Sequence, residues 1–160
     1  MIVAWTGHRP DLFADASTAR ATVVDTARDL LHQEPLERFL VGGQRGVDTW
    51  AAEAAVDFGV PFTVVLPFDV PDFTLDWTDT DRDRLLDSLA RADQVRVAGG
   101  YSERNRLLAA EADLLVAVWT GRAGGGTAET LAFAQQFATP IRDVRLTASP
   151  STGRQAGRGI

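Results

Sequence analysis

The sequence contains no cysteine, which excludes disulfides, thiolate nucleophiles and cysteine-ligated zinc or iron–sulfur centres. It contains no lysine either, so all 16 basic residues are arginine. That removes the Walker-A lysine and every Schiff-base or lysine-nucleophile mechanism. His8 and His32 are the only imidazoles, too few for a histidine-rich metal site. No window approaches the roughly 20 consecutive apolar residues of a membrane-spanning helix. The start, Met1-Ile2-Val3-Ala4-Trp5, lacks the basic stretch of a secretion signal and reads as a strand. A cytoplasmic protein with no membrane partner is expected.

What remains is an ordinary soluble composition: 160 residues, 45% apolar and 24% charged, with a formal charge of −6. The length suits one domain. An acidic chain opposes indiscriminate binding to nucleic acid, where phosphate neutralisation supplies most of the affinity. A local arginine cluster can still hold a small anion, because the local field decides that.

Apolar runs and helical periodicities alternate along the chain. Strands are expected at 2–5, 39–41, 62–66 and 114–119, with a weak edge strand at 94–97 and a last one at 140–144. Helices are expected at 17–32, 48–58, 81–92, 101–111 and 127–137. Residues 67–80, acidic and aromatic with two prolines, read as the longest loop, and as a lid or interface. Residues 1–147 form the expected domain, and 148–160, rich in Ser, Gly and Arg, an expected disordered tail. Such alternation predicts an α/β, Rossmann-like doubly wound sheet, mainly parallel, with helices on both faces. Ligands bind such sheets beyond the carboxyl ends of the strands, where the winding reverses. The unusual loops all follow predicted strands.

The first of them is Thr6-Gly7-His8-Arg9, where His8 is equally suited to touching a ligand or capping a neighbouring element. The second runs Gly42-Gly43-Gln44-Arg45-Gly46-Val47-Asp48 into a helix. Its glycines permit close approach, the helix amides attract phosphate, and Arg45 adds a planar donor. A plain turn with Asp48 capping the helix explains the same residues. The third loop, Gly121-Arg122-Ala123-Gly124-Gly125-Gly126-Thr127, carries three successive glycines, which are costly to order unless their backbone is used. It is suited to cradling phosphate, with the Thr127 hydroxyl as a further donor. Glu129 follows in the first helical turn, where it either favours the dipole or faces a bound sugar. Arg104 and Asn105 open another helix, and since consecutive helical residues diverge by about 100°, one of the two is expected to face the ligand. Trp5 and Trp119 end strands near the same rim, where either can stack on a base or pack in the core.

Taken in order, these segments resemble the SLOG superfamily, which includes Smf/DprA DNA-processing proteins, cytokinin-activating LOG enzymes and YpsA-like proteins. Residues 6–10 and 43–48 look most like the YpsA-like branch, and Arg104-Asn105-Arg106-Leu107-Leu108 looks like the segment after the fourth strand in Smf/DprA proteins. Gly125-Gly126-Thr127 stands where the family has its second glycine loop. The resemblance implies a pocket for a nucleotide or nucleotide-derived ligand, in a sensor or sequestering module that assembles as a dimer or tetramer. It carries two alternatives. One is a LOG-like phosphoribohydrolase with Glu129 as catalytic carboxylate and Arg104 orienting phosphate. The LOG motif P-G-G-x-G-T-x-x-E differs here, lacking its proline and placing Glu129 two residues after Thr127. The other is single-stranded nucleic-acid binding on a rim of Arg9, Arg45, Arg104 and Arg122, which the acidic composition disfavours.

Overall fold

The computed structural model describes residues 1–33 and 35–150. Six strands form one parallel sheet: β1 (Ile2–Gly7), β2 (Arg38–Val41), β3 (Phe62–Leu66), β4 (Gln94–Val97), β5 (Leu114–Trp119) and β6 (Ile141–Arg145). Their order is β4-β3-β2-β1-β5-β6. The chain therefore winds outward from β1 to β4, then returns to lay β5 against the other side of β1. The reversal falls between β1 and β5, paired from Val3↔Leu114 to Gly7↔Val118.

Among the described residues, six α-helices connect the strands: α1 (Ala16–Gln33), α2 (Val47–Phe58), α3 (Val70–Phe73), α4 (Asp79–Arg91), α5 (Tyr101–Glu111) and α6 (Gly125–Gln136). The pleat divides the core into two layers. Val3 and Trp5 of β1, Phe39 and Val41 of β2, and Val116 and Val118 of β5 pack with Val23, Ala27 and Leu30 of α1 and Ala51 and Ala55 of α2. Ala4, Leu40, Leu115 and Ala117 point to the opposite face, against Leu108 and Ala109 of α5 and Leu131 and Ala134 of α6. Strands apolar on both faces are what a doubly covered parallel sheet requires.

Helix boundaries follow local chemistry. Asp15 accepts from the Ser17 and Thr18 amides at 2.9 and 3.2 Å to start α1. Thr78 accepts from the Asp81 amide at 3.1 Å to start α4, with Asp79 and Asp81 in its first turn. Gly59, left-handed at φ 68°, closes α2 by donating to Ala55 and Val56.

The segment 67–80 differs from the expected loop. It contains the single turn α3, with a proline in its first positions, and α4 already begins at Asp79. Phe73 and Trp77 meet in a tilted ring contact at 4.9 Å and are 3% and 7% exposed, so they belong to the core and are not free to close as a lid. At the other end, α6 begins at Gly125, so two of the expected loop glycines form its first turn. Past β6, Ala148 bridges Phe13 antiparallel and the Ser149 amide donates to Leu12 at 3.0 Å. The expected tail at 148–160 thus begins with residues joined to the domain, and its remainder, 151–160, lies outside the described residues. Among those described, no helix is long and apolar enough to cross a membrane, and no cluster of acidic and imidazole groups is suited to a metal ion.

Candidate functional site

A cavity of about 420 Å³ opens where the winding reverses, beyond the carboxyl ends of β1 and β5. That volume suits a small-molecule ligand. The end of β1 supplies Thr6, Gly7, His8 and Arg9. Gln44 comes from the approach to α2 and Asp48 from its first turn, and Tyr101, Arg104 and Asn105 from the start of α5. The floor of the opposite side is 122–127, running into α6.

Arg104 is the buried cation of the site, only 6% exposed. Its Nε donates to Asn105 Oδ1 at 2.8 Å and its Nη1 to the Gly42 carbonyl. Asn105 donates onward to Glu129 Oε1 at 3.0 Å, and Ser102 donates to Glu129 Oε2 at 2.9 Å. Arg104 and Asn105 therefore both line the cavity, against the expectation that only one would. Arg104 reaches across to the β2–α2 connection while Asn105 turns to α6, so their divergence on the helix brings each to a different wall. Glu129 lies outside the lining, with each carboxylate oxygen accepting a hydrogen bond from α5.

Asp48 shares this buried environment. A Cβ on Gly42 would stand 2.5 Å from Arg104 Nη1 and 2.9 Å from Asp48 Oδ2, so only glycine leaves room for both side chains. The Gln44 amide donates to Oδ2 at 3.1 Å, whereas no group completes a hydrogen bond to Oδ1. Burial pushes the Asp48 carboxyl up to about 6, against the opposing pull of Arg104 and of the Gln44 and Gly42 amides. Burial likewise lowers Arg104, opposed by Asp48; a guanidinium stays charged at neutral pH regardless.

His8 is 7% exposed, between Phe13 and Trp119 at ring distances of 5.7 and 6.1 Å. Its Nε2 shares a hydrogen bond with Thr120 Oγ1 at 3.1 Å. Burial, reinforced by Arg122 and Arg9, lowers its pKa to about 4. The ring is neutral at pH 7 and adds no fixed positive charge to the cavity, although its N–H can still donate.

The α6 end of the cavity is lined by the backbone of its glycine loop. Gly124 caps the helix with no side-chain hydrogen bond, and a helix start leaves its first amides without intrahelical acceptors. Gly124 and Gly125 hold φ of 75° and 82°, and nothing lies within 4 Å of where their Cβ atoms would be. The space in front of this helix end is open. Thr127, 5% exposed, and Arg122 flank it.

Several expected site residues lie elsewhere. The guanidinium of Arg45 sits 4.9 Å over the Trp77 ring and 4.0 Å from Asp81, and Arg45 does not line the cavity. Gly42, Gly43 and Gly46 do not line the cavity: Gly42 packs against Arg104 and Asp48, Gly43 faces Leu66 in the core, and a Cβ on Gly46 would meet the His8 carbonyl at 2.4 Å. Trp119 donates to Asp143 Oδ1 at 2.7 Å, beneath Arg145, and Trp5 packs on Phe39 in the core. Neither tryptophan lines the cavity. The aromatic that does is Tyr101, which sequence patterning treats only as a helix start. Its one available signal is its position directly after Gly99-Gly100, at the carboxyl side of a predicted strand.

No protein-family model matches the chain, and no curated protein sequence matches it. Solved structures do. The fold is similar to DNA processing protein A (DprA) from Streptococcus pneumoniae, with a TM-score of 0.67 at 17% identity, over 98% of this chain and 56% of that one. The chain thus spans little more than half of DprA. It is similar to the Moco carrier protein from Chlamydomonas reinhardtii, with a TM-score of 0.62 at 24% identity, over 98% and 85%. The molybdenum cofactor binding protein from the phototrophic bacterium Rippkaea orientalis gives 0.59 at 18%, over 98% and 94%. At these identities the likeness establishes the fold alone: this is a Rossmann-like α/β domain.

Proposed function

We propose that the protein binds a small phosphorylated ligand of nucleotide type in this cavity and releases it unchanged, as a sensor, store or carrier. The observation that carries this reading is the uncapped start of α6, which opens into a cavity that Arg104 and Arg122 also line. Unpaired amides and the helix dipole attract an anion, and two guanidinium groups add charge within a chain of net −6. Two neighbours are named for the molybdenum cofactor, a pterin that carries phosphate, and the cavity chemistry suits that group as well as a nucleotide.

Calorimetry with AMP, ADP-ribose, NAD, cyclic nucleotides and the molybdenum cofactor tests it. At least one should bind, and Arg122→Ala should weaken that ligand by roughly 10- to 150-fold, the equivalent of about 1.5–3 kcal/mol for a charge-assisted contact. An unchanged affinity in a folded Arg122→Ala variant would remove phosphate from this end of the cavity.

The geometry gives less support to an N-glycosidase. That chemistry needs a carboxylate facing the sugar, whereas Glu129 faces Ser102 and Asn105. The wild type should release no free base from nucleoside monophosphates over long incubation, as read by mass spectrometry. Glu129→Gln should retain the ligand within a few-fold, because glutamine can still accept from one partner. Base release by the wild type that disappears in Glu129→Gln would reverse this assignment.

A further inference from the structure

One wall of the cavity is aromatic and half open to water. Tyr101 lines the cavity yet is 48% exposed. Its ring meets Phe68 edge to face, at 5.3 Å and 82°, and Phe68 is itself 36% exposed. Phe73, fixed in the core, lies 6.2 Å behind the same ring. The Arg104 guanidinium stands 5.8 Å from its centroid, within cation–π reach. The Tyr101 ring is thus braced from the β3 side and by Arg104, and much of it remains uncovered. Single exposed aromatics need no explanation, but Tyr101 and Phe68 touch, and Tyr101 lines a polar cavity with much of its ring uncovered.

We propose that Tyr101, backed by Phe68, is the shelf on which a planar heteroaromatic ring of the ligand stacks. The site then selects molecules that join such a ring to a phosphate, over phosphorylated sugars alone. This rests on the phosphate reading above and adds to it the recognition of the ring. An aromatic face accepts any flat heterocycle, since every such ring offers a π surface. Purine and pterin rings share that chemistry.

The test is calorimetry of AMP, neopterin monophosphate and ribose 5-phosphate against wild type, Tyr101→Ala and Tyr101→Phe. In the wild type, AMP or the pterin phosphate should bind about 5- to 150-fold more tightly than ribose 5-phosphate, the range expected for one stacked base. Which of the two gains more identifies the ring. Tyr101→Ala should erase that ratio, and Tyr101→Phe should keep it. Equal binding of all three by the wild type overturns the shelf and leaves the phosphate reading standing. A ratio that survives in Tyr101→Ala also overturns it. Failure of all three to bind the wild type overturns the shelf, while the phosphate reading is decided by the wider ligand panel above; the wild-type comparison needs no variant to fold.

Discussion

Gly7→Ala is expected to cost about 3 kcal/mol of folding stability or more, the upper range for forcing a methyl group into a packed core. Gly7 ends β1 beside Val118 of β5. A Cβ there would stand 2.3 Å from the Val118 carbonyl oxygen and 2.4 Å from Val47 Cγ2. The first is ladder backbone and the second is a β-branched side chain of a buried helix, so neither neighbour can swing aside. Relief requires β1 to part from β5 or α2 to lift, and the cavity opens at that junction. Gly59→Ala supplies the comparison. Gly59 has the left-handed φ of 68° but nothing within 4 Å, so only the backbone preference opposes a side chain there, worth about 1–2 kcal/mol. Urea unfolding should rank Gly7→Ala well below Gly59→Ala in stability. The reverse order would mean that the close approach at the β1–β5 junction relaxes at little cost.

That junction also explains why a chain with so little conventional chemistry forms a site. Without lysine and with a neutral His8, positive charge reaches the cavity only through arginine. Arg104 arrives from α5, Arg122 from the loop before α6 and Arg9 from the end of β1. Only the winding reversal brings these three segments to one rim. Glu129 and Asn105 then hold Arg104 from behind through a chain of hydrogen bonds that ends on the Gly42 carbonyl. Glu129 is in this sense a positioning residue, joined to the site through α5.

The sheet was legible where residues are apolar on both faces. Phe62–Leu66 and Leu114–Trp119 occur at their expected bounds because a continuous β-branched and aliphatic run has few other uses in a chain of this size. Tyr101–Glu111 also matches, since Gly99-Gly100 before it and Ala112 after it punctuate the helix. Segment 67–80 was not legible, because its burial depends on distant partners. Phe73 and Trp77 enter the core only once β3 and α4 are in place. Arg45 shows the same effect within the site. Its glycine setting suggests a phosphate ligand, but Trp77, far along the chain, takes its guanidinium. Local sequence specifies which loops face the rim, whereas tertiary packing decides which side chains point into it.

The two buried titratable groups on the cavity walls should oppose one another as pH falls. Asp48 titrates at about 6 in the folded protein against 3.8 ordinarily. The folded state therefore holds a proton that the unfolded chain has lost, and acidification through this window stabilises the fold. His8 does the reverse, at about 4 against 6.5, so the unfolded chain takes up the proton first and acidification destabilises. Each contribution amounts to about 2–3 kcal/mol by pH 4, and in the wild type they largely cancel. Single substitutions should expose them. Between pH 7 and pH 4, Asp48→Asn should lose about 2 kcal/mol relative to wild type, because only the histidine penalty remains. His8→Gln should gain about 3 kcal/mol relative to wild type over the same interval, because only the carboxyl contribution remains. Urea unfolding at pH 4, 5, 6 and 7 reads both differences directly. Variants whose stability runs parallel to wild type across the series would show that these groups titrate alike in the folded and unfolded chains. The cavity walls would then be far wetter than their burial implies, and a phosphate held there would gain correspondingly less from Arg104.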